Sequence, residues 1–430
     1  MTDLHRTPLH TPEPENWPSL AAPRPHPVRR TAAMAALKYI TRDLPATIVM
    51  EDNRYGRGGP GDPVMHVHRP VAFLDRIGVD AGSGFGESYL AGDWDPSPGT
   101  DLADLLLPFA DRVNAGRESA LLPRWAQSLR GLATRSHPGD QDNDRTGARV
   151  NVERHYDTNS GLFTEFLDPT MTYSCALFRP EQLDNPYDPP TYANLEAAQM
   201  RKLDSILDAA GVRPGSRVLE IGCGWGSLAI RAAQRGAWVT AITIASKQAL
   251  QAQANVGAAG VAERVKVALR DYRDQIGEFD AVLSVEMIEA VGEKYWPVYF
   301  DVIERRLAPG GVAVIQAIVL PHQRMLATRN TYTWMQKYIF PGGLLPSVEA
   351  VEQITREHTG LKVEEIRRLG RHYGHTLRIW RDRFSDRWPA IAGHGFDQTF
   401  GRMWQLYLAY SEAGFRAGYL DDVQLRLTRR

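Results

Sequence analysis

From residue 150 onward the apolar positions follow two alternating rhythms. Short apolar runs recur at 218–221, 238–244, 265–269, 279–285 and 312–319. Between them, apolar residues return at helical spacing, as with Leu195, Met200, Leu203, Ile206 and Leu207 in 194–210. Short apolar runs suit inner strands covered on both faces, and the 3.6-residue period suits helices lying on them. Strand alternating with helix predicts a mostly parallel sheet wound on both faces, an α/β fold of Rossmann-like type. Ligands of such sheets bind beyond the carboxyl ends of the strands. The turn after 221 and the segments 242–245 and 285–292 therefore fall on one functional edge.

The first third has a different character. Residues 1–30 carry Pro8, Pro12, Pro14, Pro18, Pro23, Pro25 and Pro27, which predicts a flexible or extended arm. Segments 46–50 and 64–68 read as strands flanking turn signals at 56–62. His66 and His68 share one face of the second strand. They read as metal ligands or as ordinary strand histidines, and without a third ligand the latter fits better. Residues 84–94, punctuated by Gly84, Gly86 and Gly92 and ending at Trp94, read as a packing corner or as a substrate or domain contact. Residues 101–109 predict an amphipathic helix. Residues 121–132 combine Trp125 and leucines with Arg124 and Arg130, which suits a packed helix or one touching a membrane surface. The Pro, Gly, Asp, Asn and Gln of 136–149 mark a linker. The predicted division is an arm at 1–30, a smaller α+β domain at 31–135 for lipid binding or dimerisation, the linker 136–149, and a catalytic domain at 150–430.

Composition narrows the function classes. A chain of 430 residues exceeds one ordinary core, in keeping with two domains. A net charge of -1 argues against non-specific nucleic-acid binding. The two cysteines, Cys175 and Cys223, have no CxxC spacing, which suits a reducing cytoplasm with neither a disulfide frame nor a zinc cluster. No run is long and apolar enough to span a bilayer, and the N-terminal residues lack an apolar signal core. A lipid substrate would be met at the inner membrane surface.

The chemistry centres on residues 217–228. Gly222, Gly224 and Gly226 let the backbone turn sharply and approach a ligand, and the next helix offers its first N–H groups. A dinucleotide site would show GxGxxG with an acid about 20 residues on. Here the spacing is GxGxG, and Ile242-Thr243-Ile244-Ala245-Ser246-Lys247-Gln248 contains no acid, so NAD fits less well. A glycine turn after Glu220-Ile221 is the pattern of S-adenosylmethionine-dependent methyltransferases of class I. Glu220, Gly222, Cys223, Gly224 and Gly226 then form the cofactor turn, with Cys223 there for spacing. Thr243, Ser246 and Gln248 are placed for a ribose, although Ser246 equally suits the cap of the next helix.

The second half resembles the cyclopropane-fatty-acid synthase family, which includes the mycolic acid methyltransferases. The residues carrying the likeness are His155-Tyr156-Asp157, Leu167-Asp168-Pro169, Met171-Thr172-Tyr173-Ser174-Cys175-Ala176, Gln199 with Lys202, Glu220 to Gly226, Asp271-Tyr272-Arg273-Asp274, Lys337 to Gly343 and Leu345-Pro346-Ser347. Gly86-Glu87-Ser88-Tyr89 and Asp93-Trp94 extend it weakly into the first half. Ser284 to Gly292 and Tyr407 to Arg416 resemble the actinobacterial branch that makes mid-chain methyl-branched, tuberculostearic-type acids. The resemblance adds Tyr173, Ser174, Asp271 and Tyr272 to the cofactor set. It implies methyl transfer from S-adenosylmethionine to the double bond of an unsaturated phospholipid acyl chain, with no metal. An isolated alkene is a poor nucleophile, so it must be held in line and dry. The resulting carbocation can be met by aromatic faces. Tyr173, Phe178, Trp334, Tyr338 and Tyr373 are candidates that read equally as core.

The cation must then lose a proton. The resemblance implies bicarbonate as base, at a site involving Cys175, Glu289, Tyr373 and the backbone near Ile318. Glu289 reads also as a helix-start carboxylate. The chain departs from the family at Gln316 and Ala290, where histidine is common, and at Ser411, where cysteine is common. Gln316 cannot titrate near neutrality. These departures favour a second fate, a hydride shift and proton loss that leave a methylene branch for a separate reductase. Cyclopropane formation with bicarbonate stays as the alternative. A small-molecule methyltransferase would not need the large first half. A non-catalytic, membrane-associated scaffold would be expected to lose the glycine turn or Glu289, and both are present. The family also suggests that the first domain supports a homo-oligomer.

Overall fold

The computed structural model describes the chain except residues 1–9, 116–137, 139–140, 146, 149, 152–159, 184 and 186. The helix expected at 121–132 and the His155-Tyr156-Asp157 motif lie outside the described residues. The chain forms two compact units. One gathers Met1–His137, Asn330–Ile339 and Trp380–Tyr419; the other gathers Pro138–Arg329, Phe340–Ile379 and Leu420–Arg430. Segments 330–339 and 380–419 follow the sheet in sequence yet pack with the first unit, which no linear boundary can express.

The first unit is built on a four-stranded sheet. Its strands are β1 (Thr47–Met50), β2 (Asn53–Tyr55), β3 (Val64–Val67) and β4 (Trp94–Pro96), in the order β2-β1-β3-β4. The alternating burial of β1 and β3 is that of a sheet with one covered face. His66 lies in β3 and His68 just beyond it, where its Nε2 sits 3.2 Å from Asp95. Among the described residues no three His, Cys, Asp or Glu side chains are grouped to hold a metal ion. Gly84 and Gly86 prove to be a packing corner: an added Cβ would fall 2.3 Å from the Arg76 carbonyl oxygen at Gly84 and 2.5 Å from the Trp334 ring at Gly86. The described part of the proline-rich arm is seated rather than free. Trp17 donates to Asp397 at 2.7 Å, Leu20 is buried, and Arg76 donates to the Leu20 carbonyl. Proline content alone did not reveal these anchors. Trp334 and Tyr338 belong to this unit, where the Tyr338 hydroxyl donates to Glu87 at 3.1 Å.

Arg402, on the helix Gln398–Arg416, ties this unit together. Its buried guanidinium donates to the carbonyls of buried Tyr89 and Trp94 and pairs at 2.8 Å with Asp95, which is partly buried. A buried pair matters most when one partner is lost, because the other charge is then left uncompensated.

The second unit holds the predicted α/β sheet. Its strands are β5 (Arg217–Ile221), β6 (Trp238–Thr243), β7 (Val265–Leu269), β8 (Phe279–Val285), β9 (Leu307–Val319), β10 (Leu361–Arg368) and β11 (Asp421–Arg429). The order is β10-β11-β9-β8-β5-β6-β7; β5 to β9 run parallel, β11 is antiparallel to β9, and β10 pairs antiparallel with β11 and so runs with the rest. Both faces are covered. Leu219, Ile221, Val282, Ile315 and Val423 pack with Trp296, Phe300 and Ile303 on one side, whereas Val218, Ala281, Leu283 and Val314 pack with Leu203, Ile206, Leu228 and Ala252 on the other. The chain leaves β5 toward β6 on one side and returns at β8 on the other, the topological switch at which doubly wound sheets bind ligands. No helix of the described residues is long and apolar enough to cross a membrane.

Arg402→Ala should lower the unfolding free energy of the first unit by about 3–5 kcal/mol. Denaturant unfolding checks this; a change below about 1 kcal/mol would show that Asp95 is satisfied without Arg402.

Candidate active site

The carboxyl edge of β5, β6 and β8 opens into a cavity in the second unit. Among its lining residues are Tyr173, Ser174, Glu220, Gly222, Cys223, Gly224, Thr243, Gln248, Asp271, Tyr272 and Glu286. Gly222, Gly224 and Gly226 have φ of +82°, +50° and +91°, a backbone that side chains disfavour. An added Cβ on Gly224 would meet nothing within 4 Å, whereas one on Gly222 would fall 2.3 Å from Met287. The turn is therefore open on the side where a ligand would lie. Glu220 at the end of β5 accepts from the Ala229 N–H, and its Oε2 is buried without a partner. Burial pushes its carboxyl up to about 8. Thr243 donates to Gln248 Oε1 at 2.9 Å and accepts from the Ala245 N–H, which fixes both side chains on the wall. Ser246 departs from its expected role. It is the first residue of the helix Ser246–Ala258, neither lining the cavity nor capping the helix, because Ala245 takes the cap position. Asp271 and Tyr272 line the cavity, and Asp271 is held by Arg273 through N–H and guanidinium donors.

The segment Met171 to Cys175 forms another wall. Buried Gln199 donates to the Thr172 and Ser174 carbonyls, and buried Lys202 donates to Ser174 Oγ at 2.6 Å. The Tyr173 ring packs edge-on against Phe163 at 4.9 Å. Phe178 instead stacks on His372 at 6.5 Å. Residues of the expected linker also reach the cavity. Asn143 and Ala148 line it, and Asn143 is buried, donating to the Gly342 carbonyl at 2.9 Å. A polar composition does not distinguish a solvated linker from a polar wall.

The predicted catalytic residues converge, but on a different carboxylate. The Cys175 N–H donates to Glu286 Oε1 at 2.8 Å, Gln316 Nε2 donates to the same oxygen at 3.0 Å, and the Tyr373 hydroxyl donates to Oε2 at 2.6 Å. Glu286 itself lines the cavity. Its φ is +48°, the left-handed region that a non-glycine residue enters only when its surroundings hold it there. Glu289 accepts from the Ile318 N–H at 2.6 Å, the backbone contact expected of it, and lies close enough to Glu286 to feel its charge. The expected grouping of Glu289 with Cys175 and Tyr373 is thus replaced by one around Glu286, three residues earlier. Of the groups that the resemblance assigns to bicarbonate, Cys175 and Tyr373 donate to this carboxylate instead, and Gln316, one of the departures, joins them. The Cys175 thiol turns away, toward the Ala176 and Leu369 carbonyls, so the residue contributes its backbone.

A second missed carboxylate lies behind the first. Gln316 Nε2 also donates to Asp422 Oδ2 at 2.8 Å, and Gln316 Oε1 accepts from Gln424 Nε2 at 3.2 Å. The Gln424 amide fixes the Gln316 amide, so both Gln316 hydrogens face carboxylates. Burial raises the pKa of Glu286, against the pull of Tyr373 and the Cys175 N–H. Burial and the charges of Glu286 and Glu289 raise that of Asp422 further. Glu289 is pushed up to about 8 by burial and by Glu286. The sequence carried a faint signal for both: a carboxylate ending the apolar strand β8, and polar residues 422, 424 and 426 alternating with apolar ones in β11.

Comparison with known proteins follows the same lines. The profile of the mycolic acid cyclopropane synthetase family matches residues 143–425. The chain is similar to the tuberculostearic acid methyltransferase UfaA1 of Mycobacterium tuberculosis, at 47% identity over 431 residues, covering 99% of this chain and 98% of that protein. It is similar to the cyclopropane-fatty-acyl-phospholipid synthase of Escherichia coli K12, at 34% identity, covering 82% and 84%. Among solved structures it resembles mycolic acid cyclopropane synthase CmaA1 complexed with SAH and CTAB, with a TM-score of 0.58 and 28% identity, covering 65% of this chain and 97% of that one.

Both thiols are buried, and burial raises both pKa values. Neither should react with a disulfide reagent at pH 8 in the native protein, and both should react in denaturant. Stoichiometric labelling of the native protein would contradict this placement.

Proposed function

The chain belongs to the mycolic acid cyclopropane synthetase family of S-adenosylmethionine-dependent fatty acid methyltransferases, and from that premise we propose that it methylates the double bond of oleoyl-type phospholipid chains at the cytoplasmic membrane surface, leaving a methylene branch. The observation that carries this reading is the seating of Glu286, a cavity-wall carboxylate held by Cys175, Gln316 and Tyr373.

The cofactor fits the residues present. Gly224 leaves room for its close approach, and Thr243, Gln248, Asp271 and Tyr272 offer polar atoms along the same wall. When bound, S-adenosylmethionine supplies an electrophilic methyl group. The orphaned Glu220 oxygen supplies an acceptor for a donor group of the cofactor. The cavity edge at Tyr173, backed by Phe163, gives an aromatic face to positive charge on the acyl chain. Glu286 then accepts the proton that the cationic chain must lose. A hydride shift puts the cation on the methylated carbon, and proton loss from the new methyl group gives the methylene. A reductase acting afterwards would produce the methyl branch.

Glu286 is a base only when charged. Tyr373 and the Cys175 N–H stabilise that charged form, whereas burial opposes it. The rate should therefore rise with pH along a limb above the ordinary carboxylate range. Bicarbonate does not fit the same donors while Glu286 holds them, which is why cyclopropane formation is the secondary reading. It keeps its place through the similarity to the Escherichia coli synthase.

Incubation with oleoyl phospholipid and labelled cofactor, followed by mass spectrometry, should give a methylene-branched chain. A cyclopropane as the sole product would overturn the proposal. Glu286→Gln should lower kcat by about 10²–10⁴-fold while cofactor affinity is retained. Tyr373→Phe removes a donor to the charged form, so it should move the rising limb to higher pH; a limb unmoved by this change would remove Glu286 from the role of base. Glu220→Gln should weaken cofactor binding by calorimetry about tenfold, a loss near the value of one hydrogen bond to a charged group.

A further inference from the structure

Around the turn that carries Tyr373, several cations gather although the chain as a whole has a net charge of -1. Arg371, His372 and His375 lie on the first turns of the helix Gly370–Asp386. Arg367 lies near the end of β10, Arg201 on the helix Tyr192–Ala209, and Arg179 in the segment that follows Phe178. Hydrogen bonds draw these four pieces together. The Phe178 N–H donates to His372 Nδ1 at 3.1 Å, Arg201 Nε donates to the Leu177 carbonyl at 3.0 Å, and Arg367 donates to Ser205 Oγ at 2.9 Å, one helical turn beyond Arg201. The oxygens that receive Arg201 and Arg367 are thus neutral. Arg368 differs, since it pairs with Asp421 and is not part of the group. The field is felt locally. Burial and the charges of Arg367, His375, Arg371 and Arg201 hold His372 down to about 4, and burial and Arg179 lower Arg201. Arg179, Arg367 and Arg371 are exposed, as is Ile366 beside Arg367.

We propose that Arg179, Arg201, Arg367 and Arg371 form a docking surface for the phosphate groups of an anionic phospholipid bilayer. The reading rests on the lipid substrate proposed above. Guanidinium groups match phosphate oxygens in pairs, and cations spread over four chain segments suit several phosphates of a surface better than a single bound ion. An exposed isoleucine among them suits the boundary between headgroups and acyl chains. The position also serves the chemistry. Arg371 precedes by two residues the tyrosine whose hydroxyl holds Glu286, so a lipid anchored here is anchored next to the reacting site.

The test uses the full chain and vesicles of phosphatidylcholine with or without phosphatidylglycerol. The wild type should sediment with the anionic vesicles at least about tenfold better, less so as salt rises. R179Q/R367Q/R371Q should lose about fivefold in partitioning for each arginine, and R179K/R367K/R371K should recover it. Binding of S-adenosylhomocysteine reports that each variant is folded. Equal partitioning of the glutamine variant and the wild type would overturn the proposal, as would indifference of the wild type to headgroup charge. Displacement of the wild type by millimolar inorganic phosphate at constant ionic strength would instead indicate a discrete phosphate pocket. Tighter binding to single-stranded RNA than to vesicles would point to a different partner, and either result overturns the proposal. Methyl transfer to detergent-dispersed lipid is read separately. Its absence in the wild type would sink the substrate reading, whereas vesicle partitioning alone decides the docking surface.

Discussion

The site depends on a half-buried carboxylate kept in place by its donors. Glu286 stands just past the end of β8 in left-handed backbone, half-buried on the cavity wall, with Cys175, Gln316 and Tyr373 donating to it. Taking a carboxylate out of water is costly unless hydrogen bonds replace the lost solvent. Each donor comes from a different part of the chain: a loop before the sheet, strand β9, and the helix after β10. The sheet is what brings them together, and the carboxylate in turn gives each of them a partner. A carboxylate fixed in this way has a defined direction, unlike a small anion that exchanges with solvent.

Behind Glu286 the sheet carries a row of polar side chains where apolar ones would be expected. Gln316 on β9, with Asp422 and Gln424 on β11, lies on the face covered by the helix Tyr192–Ala209, where Lys202 is the buried cation. The row continues from Gln424 to Ser205 and on to exposed Arg367. Buried polar networks are stable when their members are satisfied, and they then allow few alternative packings. Burial and the charges of Glu286 and Glu289 hold Asp422 well above the usual carboxylate range, so each carboxylate disfavours charge on the other. Glutamine fits at position 316 because its amide gives a hydrogen to each carboxylate and takes one from Gln424. A histidine there could not face both carboxylates in this way while also accepting from a neighbour.

The same logic explains the polar segment before the sheet. Asn143 reaches the cavity, and Asn151 donates to Asn143 Oδ1 at 2.9 Å, so these side chains close the wall rather than span solvent. In the first unit, Arg402 does for the Tyr89 and Trp94 carbonyls what the donors around Glu286 do for a carboxylate.

By itself the sequence determined the local grammar. Apolar runs at β5 to β8 and helical periods between them specified a parallel sheet covered on both faces, because burial on two sides demands it. The glycines at 222, 224 and 226 specified a turn that only a close ligand or a tight packing contact would require. Motifs between 155 and 347 carried the family. Tertiary structure decided what depends on distance between remote residues. It decided that Cys175, Gln316 and Tyr373 meet at Glu286 and not at Glu289, that segments 330–339 and 380–419 pack with the first unit, and that Ser246 stays off the cavity wall. The reason is physical. Periodicity records which face of an element is buried, but a carboxylate's partners are set by the register and placement of elements that lie 30 to 111 residues apart in the chain.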